Sequence, residues 1–234
     1  RDVEYANVDG VPLLLDLYLP ATDNGPAPVI VWIHGGGWRA GTKAGGPAAR
    51  QSLRGYAVAS INYRLSDVAT HPAQINDCKA AVRWLRAHAG EYRLDQDRFV
   101  AWGPSAGGHL AAMLGTTGET KEFDRGENLD QSSRVRAVVD YFGPTDFLQM
   151  DAHRPADGMI HDAADSPESL LVGGAIQSNP DKVRRANPIT YITSGTPPFL
   201  ICHGDRDPLV PYHQSRLLAA ALEWPIPDFT SASH

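Results

Sequence analysis

Arg98-Phe99-Val100-Ala101-Trp102-Gly103-Pro104-Ser105-Ala106-Gly107-Gly108-His109-Leu110-Ala111-Ala112 is the stretch that decides how this chain is read. A short apolar run passes through a glycine-flanked serine into small helix-compatible residues, the pattern of a strand, a sharp turn and a helix. Ser105 stands at the centre of Gly-x-Ser-x-Gly, the form of a nucleophile elbow. A serine on a tight turn at a strand's end holds its hydroxyl clear of the sheet, where a base and a substrate can both reach it. Gly103 and Gly107 leave room for the close strand–helix crossing. The helix N-terminus turns backbone N–H groups and the positive end of its dipole toward developing negative charge. Glycine and serine are common in turns, so the motif alone also fits an ordinary strand–helix loop with a capping serine. Its companions decide.

The first companion is Val29-Ile30-Val31-Trp32-Ile33-His34-Gly35-Gly36-Gly37-Trp38, a buried strand running straight into three glycines. Consecutive glycines are costly to order, so they mark backbone that must approach something closely. In acyl transfer that something is a carbonyl oxygen, and a His-Gly-Gly-Gly loop is the second half of an oxyanion hole. The second companion is Phe199-Leu200-Ile201-Cys202-His203-Gly204-Asp205-Arg206-Asp207-Pro208-Leu209-Val210-Pro211, a strand ending in an acidic loop. Oxyanion loop, serine, aspartate and a final histidine follow one another in the chain order of α/β-hydrolase triads.

These residues resemble α/β-hydrolase esterases of the hormone-sensitive-lipase-like group, and among them the small bacterial carboxylesterases that include feruloyl and acetyl-xylan esterases. Residues 34–38, 103–109 and 203–210 carry the match. The segments Asp9-Gly10 to Pro20, Ile61-Asn62-Tyr63-Arg64, Asp140 to Asp146 and Asn187-Pro188 extend it to about Leu222. The resemblance implies Ser105 as nucleophile, Asp207 as the orienting acid and a late histidine as base. It implies Gly36 and Gly37, with Ala106, as oxyanion donors; sequence alone does not separate Gly35 from its neighbours. Asp205 is a rival as a loop carboxylate, and Asp146 is a more distant one whose Gly-Pro-Thr-Asp setting equally suits a helix cap. His203 resembles a structural histidine. His34 and Trp38 are read as braces of the glycine loop, and His109 as a packing or hydrogen-bonding residue.

Only His213 and His234 follow Asp207. His213 falls too early, on the helix after the acid loop, which leaves His234 as the base. A helix over about 212–223 carries the chain roughly 18 Å away at about 1.5 Å per residue. Residues 225–234 span roughly 30 Å when extended at about 3.3 Å per residue, so a return is geometrically allowed. The stretch Glu223-Trp224-Pro225-Ile226-Pro227-Asp228 departs from the family's usual approach to that histidine. Pro104 is a second departure: proline removes one N–H, and if that N–H supports the elbow, activity falls.

The 234 residues, 42% hydrophobic and 21% charged, suffice for one α/β-hydrolase domain over 1–234. Small cap insertions are expected at about 118–133 and 147–185, the second being too long for a bare loop. A net charge of −6 argues against a surface that tracks phosphates, so no nucleic-acid partner is expected. No apolar run is long enough for a membrane span, and the expectation is a soluble chain, cytoplasmic or secreted. Nine scattered histidines lack metal-ligand spacing, so neither metal nor cofactor is expected. Cys78 and Cys202 read as buried small hydrophobes rather than a disulfide.

The expected fold is α/β: a mostly parallel twisted sheet with helices on both faces and an N-terminal antiparallel hairpin over 3–8 and 13–19. Helices are expected over 71–89, with Ile75, Cys78, Val82 and Leu85 inward and Lys79, Arg83 and Arg86 off that face, and over 211–223. The expected activity is hydrolysis of short acyl or aryl esters, free or polysaccharide-linked. An arylformamidase or peptidase with the same triad, and a catalytically impaired binding protein of this fold, are the alternatives.

Overall fold

The computed structural model describes residues 1–21 and 25–223. Among them, seven strands form one sheet in the order β1-β2-β4-β3-β5-β6-β7. Strands β1 (Val3–Val8) and β2 (Val11–Tyr18) make the expected hairpin, turning through Asp9 and Gly10, both at positive φ. β2 runs antiparallel to β4 (Ala57–Ile61); β3 (Ala27–Ile33), β4, β5 (Leu94–Pro104), β6 (Ala137–Tyr141) and β7 (Phe199–Cys202) are mutually parallel. The connection from β4 to β5 carries helix α1 (Ala73–Ala87) and the short α2 (Ala89–Tyr92). Helix α3 (Ala106–Thr116) follows β5 directly.

The period of two along each strand divides the sheet into two covered faces. Val29, Val31, Ile33, Ala59, Ile61, Phe99 and Ala101 share one core with Ile75, Val82 and Leu85 of α1 and Leu110 and Met113 of α3. Ile30, Trp32 and Val58 point the other way and pack with Ala48 of the 3-10 helix Pro47–Arg54. Full burial of one such leucine or phenylalanine contributes about 1.5–3 kcal/mol.

Two expectations are corrected. Lys79 and Arg83 are fully buried although they lie off the apolar face of α1. The residue 118–133 segment covers that side: Lys79 Nζ meets Asp124 Oδ1 at 3.0 Å and donates to the carbonyls of Thr117 and Thr120, while Arg83 Nη1 meets Asp124 at 3.2 Å. Cys202 is exposed rather than buried, because β7 is last in the strand order among the described residues and covers one neighbour only.

After β6 the chain runs through α4 (Met150–His153), α5 (Pro167–Val172) and α6 (Pro180–Ala186) before reaching β7 and α7 (His213–Glu223). Ser166 caps α5 by accepting from Ser169 N, with Pro167 in the first turn and Gly173 ending it in the left-handed region. On α7 the buried residues are the polar Gln214 and Ser215 beside Leu218. Gln214 Oε1 accepts from Thr145 N and Asp146 N at 2.7 Å, which ties α7 to the loop after β6. No helix among the described residues is long and apolar enough to cross a membrane.

Candidate active site

Ser105 links β5 to α3 at φ 53° and ψ −124°, a conformation that costs a non-glycine residue about 1–3 kcal/mol and persists only where the surroundings enforce it. The enforcement is visible. Ser105 N donates to Tyr141 O on β6 at 2.8 Å, and Ser105 O accepts from His109 N at 3.0 Å. The amide that supports the elbow is therefore that of Ser105 itself. Pro104, last in β5 and in register with Tyr141, leaves that bond intact. A Cβ on Gly107 would lie 2.1 Å from Ile33 O, so the helix crosses the end of β3 at a distance only glycine allows.

The glycine loop lies against the elbow: a Cβ on Gly35 would meet Pro104 O at 3.0 Å and Ser105 Cβ at 3.6 Å. Gly36 has φ +108°, and its carbonyl accepts from Arg39 N and Ala40 N at 3.1 Å, a turn closed so tightly that a Cβ there would sit 2.2 Å from Ala40 O. The amides of Gly36 and Gly37 find no acceptor among the described residues, and the Ala106 amide, first in α3, has no intrahelical one. His34 and Trp38 hold the loop from beneath. The His34 ring stacks on Tyr63 at 4.4 Å and its Nδ1 lies 2.8 Å from Gly35 O; Trp38 is buried edge-on to His109.

His109 is fully buried, with Nε2 2.7 Å from Ala186 O, and burial pulls its pKa down to about 4. It joins α3 to the end of α6. Asp140, also fully buried, accepts from Gly143 N at 2.9 Å beneath the elbow; burial pushes its pKa up to about 7 against that hydrogen bond. Sequence reading placed Asp140 only within a matching segment. Its burial arises from α3 crossing so near that a Cβ on Gly108 would lie 2.3 Å from Asp140 Oδ1.

The Asp207 carboxylate accepts from Leu209 N at 2.8 Å and Val210 N at 2.9 Å through Oδ1. Oδ2 stands 3.5 Å from His203 Nε2. His203 itself is engaged by Ser215 Oγ at 2.7 Å and Val210 O at 2.9 Å, and burial lowers its pKa. Both oxygens of Asp146 are occupied, by Leu148 N and Gln149 Nε2, in the manner of a helix cap. Asp205 is exposed. His213, first in α7, stacks on His153 of α4 at 3.6 Å. His234 lies outside the described residues.

Ser105, Gly36, Gly37 and Val210 line one cavity of about 570 Å³. The segment between β6 and α6 adds Met159, His161, Pro167 and Glu168 to its wall; residues 118–133 add none. His161 is a site residue that the sequence does not announce. Its partner Glu168 sits on another element, and no local pattern joins them.

A family model, BD-FAE, matches residues 15–222. The probable carboxylic ester hydrolase LipM of Mycobacterium tuberculosis (strain ATCC 25618 / H37Rv) is 35% identical over 195 residues, covering 82% of this chain and 44% of that protein. The chain spans about half the length of the curated relatives it matches. Among solved structures, the bifunctional GH43-CE protein of Bacteroides eggerthii superposes with a TM-score of 0.86 at 39% identity, over 95% of this chain and 30% of that one. A truncated carbohydrate esterase from gut microbiota gives 0.86 at 35% identity, over 95% of this chain and 82% of that one. With the sheet order, the elbow and the glycine loop all in place, and the family model spanning them from β2 to α7, this chain belongs to the BD-FAE family and has the α/β-hydrolase fold.

Proposed function

We propose that this chain hydrolyses carboxylic esters of short acyl or aryl acids through an acyl-enzyme intermediate. The observation that carries the reading is the cavity in which a strained serine faces unpartnered backbone amides. In the reaction, Ser105 Oγ attacks the ester carbonyl carbon while its proton passes to the base, read as His234. Asp207 orients that imidazole, its own carboxylate being fixed through Oδ1 by two backbone amides. The tetrahedral oxyanion is met by the N–H groups of Gly36, Gly37 and Ala106, each donor contributing about 10²–10³ in rate. Collapse expels the alcohol, which takes the proton from the imidazolium. Water then repeats the sequence on the acyl-enzyme and releases the acid and free Ser105.

The substrates suited to this reading are acetyl and feruloyl esters, free or attached to plant polysaccharide, in keeping with the carbohydrate esterase among the structural neighbours. Residues 147–185 serve as a small cap over the cavity. The test is hydrolysis of p-nitrophenyl acetate and butyrate, with labelling by a fluorophosphonate probe. Turnover and labelling are expected in the parent and lost in Ser105→Ala, and turnover is lost in His234→Ala. A folded parent that neither turns over nor labels overturns the reading in favour of a binding protein.

A further inference from the structure

The cavity beside Ser105 contains a buried polar pair that the proposed reaction does not use. His161 is 1% exposed and Glu168 3%. His161 Nδ1 stands 3.1 Å from Glu168 Oε2. Nδ1, Nε2 and Glu168 Oε2 are all shut off from solvent and none makes a hydrogen bond among the described residues: the approach of Nδ1 to the carboxylate is an ion pair without hydrogen-bond geometry, and Nε2 has no partner, Ser105 included. A buried polar atom without a partner costs stability comparable to a lost hydrogen bond. It is retained most readily where a ligand completes it. The rest of the cavity wall is mostly apolar, with Pro144, Met159, Pro167, Leu209 and Val210, and Arg39 is its one further charged residue among the described residues.

We infer that His161, held in place by Glu168, is a recognition point for a hydroxyl group carried by the ester. The inference rests on the esterase reading and adds what the substrate must bring. The pair fixes the chemistry of the partner. With Nδ1 turned to the carboxylate, a neutral ring offers Nε2 as an acceptor and a protonated ring offers it as a donor. A hydroxyl satisfies both, donating in the first case and accepting in the second. An ether oxygen or carbonyl serves only one, and an alkyl chain serves neither.

The groups facing His161 favour the charged ring. Burial pulls its pKa down, but Glu168, with Asp151 behind it, outweighs this and leaves it raised. The Leu209 carbonyl adds to the effect without reaching hydrogen-bond geometry. Asp151 is itself oriented by accepting from His161 N at 2.8 Å and Asp162 N at 2.9 Å, and Arg154 Nε lies 3.8 Å from it. The ring is thus anchored through its side chain and through its own backbone. Glu168 does not need to touch substrate; it is a positioning residue.

The hydroxyl can sit on the alcohol or the acyl side of the ester, and the experiment separates these. Ser105→Ala, which holds ester without turning it over, is titrated by NMR with ethyl butyrate, glyceryl monobutyrate (hydroxyls on the alcohol) and ethyl β-hydroxybutyrate (hydroxyl on the acid). One hydroxylated ester is expected to bind about tenfold or more tightly than ethyl butyrate, since a site built for a hydroxyl is left unpaired by its absence. Adding His161→Phe abolishes the difference, and His161→Gln, which keeps a donor and an acceptor, restores part of it. If the phenylalanine variant fails to fold because Glu168 is stranded, His161→Phe with Glu168→Gln makes the same measurement. Glu168→Gln alone weakens binding of the preferred hydroxylated ester and leaves that of ethyl butyrate unchanged, and Glu168→Asp restores part of the preference, which a merely structural residue would not do. Equal binding of all three esters, or a preference that survives His161→Phe, overturns the inference. Turnover of p-nitrophenyl butyrate by the parent reports separately on the esterase reading: turnover with equal binding removes this inference alone, and a preference without turnover removes the esterase reading alone.

Discussion

Gly107→Ala tests the elbow at its tightest contact. The added Cβ would lie 2.1 Å from Ile33 O and 2.7 Å from His34 O, both rigid backbone at the end of β3. Ordinary contact requires α3 to move away from β3 by more than an ångström. Forced overpacking of this kind costs about 3 kcal/mol at the upper end of its usual range. The better helix propensity of alanine offsets at most about 1 kcal/mol of that. A net loss of about 2 kcal/mol lowers Tm by roughly 4–8 °C in a chain of this size. Activity suffers more, because the same shift separates Ser105 and the Ala106 amide from the Gly36–Gly37 loop, and a misplacement of about 1 Å costs about 10²-fold. The assay pairs calorimetric melting with p-nitrophenyl butyrate hydrolysis. Gly90→Ala is the control: a Cβ there meets nothing within 4 Å, and the substitution should raise stability by about 0.4–1 kcal/mol. A Gly107→Ala protein with parental Tm and turnover within about threefold would refute the contact as the reason for the glycine.

Ser105→Gly removes the side chain from a positive-φ residue and should raise Tm by roughly 2–4 °C, from about 1 kcal/mol of relieved strain, while turnover disappears. Asp124→Asn strands Lys79 and Arg83 and should cost about 3–5 kcal/mol in a urea melt. Burial pushes the Asp124 pKa up, but Lys79, Lys121 and Arg83 outweigh it and hold it below the usual carboxylate range. Its stabilisation is therefore present above pH about 4 and lost as pH falls below that. Asp140 behaves oppositely. With its folded pKa pushed up to about 7 by burial, it favours the native state at low pH, and that contribution is lost between about pH 4 and pH 7. Asp140→Asn should flatten this slope in melts across the range; an unchanged slope would assign it elsewhere.

The parts of this structure visible in the sequence are those whose cause is local. A glycine that must take φ +108° and a serine between two glycines announce themselves, because few other residues tolerate those backbones. The hairpin is equally local. What the sequence hid depends on meetings between distant segments. Lys79 and Arg83 sit off the apolar stripe of α1, where helical spacing predicts solvent, yet the segment around Asp124 returns to cover them with matching charge. Cys202 lies in a continuous apolar run that suits a central strand, but strand order is a property of the whole sheet. His161 acquires meaning only when α5 brings Glu168 to it. Asp146, a more distant rival to Asp207 in sequence, spends both oxygens on its own turn, whereas Asp207 keeps Oδ2 toward its neighbours.

Strand β3 has β4 and β5 as its sheet neighbours, and both follow it in the chain. As the polypeptide leaves the ribosome, Val29, Val31 and Ile33 emerge with nothing yet made to pair with them. The hairpin ahead of them is no help, since β2 waits for β4 as well. At about 5–20 residues per second, the delay between the end of β3 and the end of β5 is roughly 4–14 s. For that interval an apolar strand is an open template for other chains. The arrangement that sets Ser105 toward the middle of the sheet thus leaves the growing chain with an open strand edge until β5 is made, whatever the stability of its finished form.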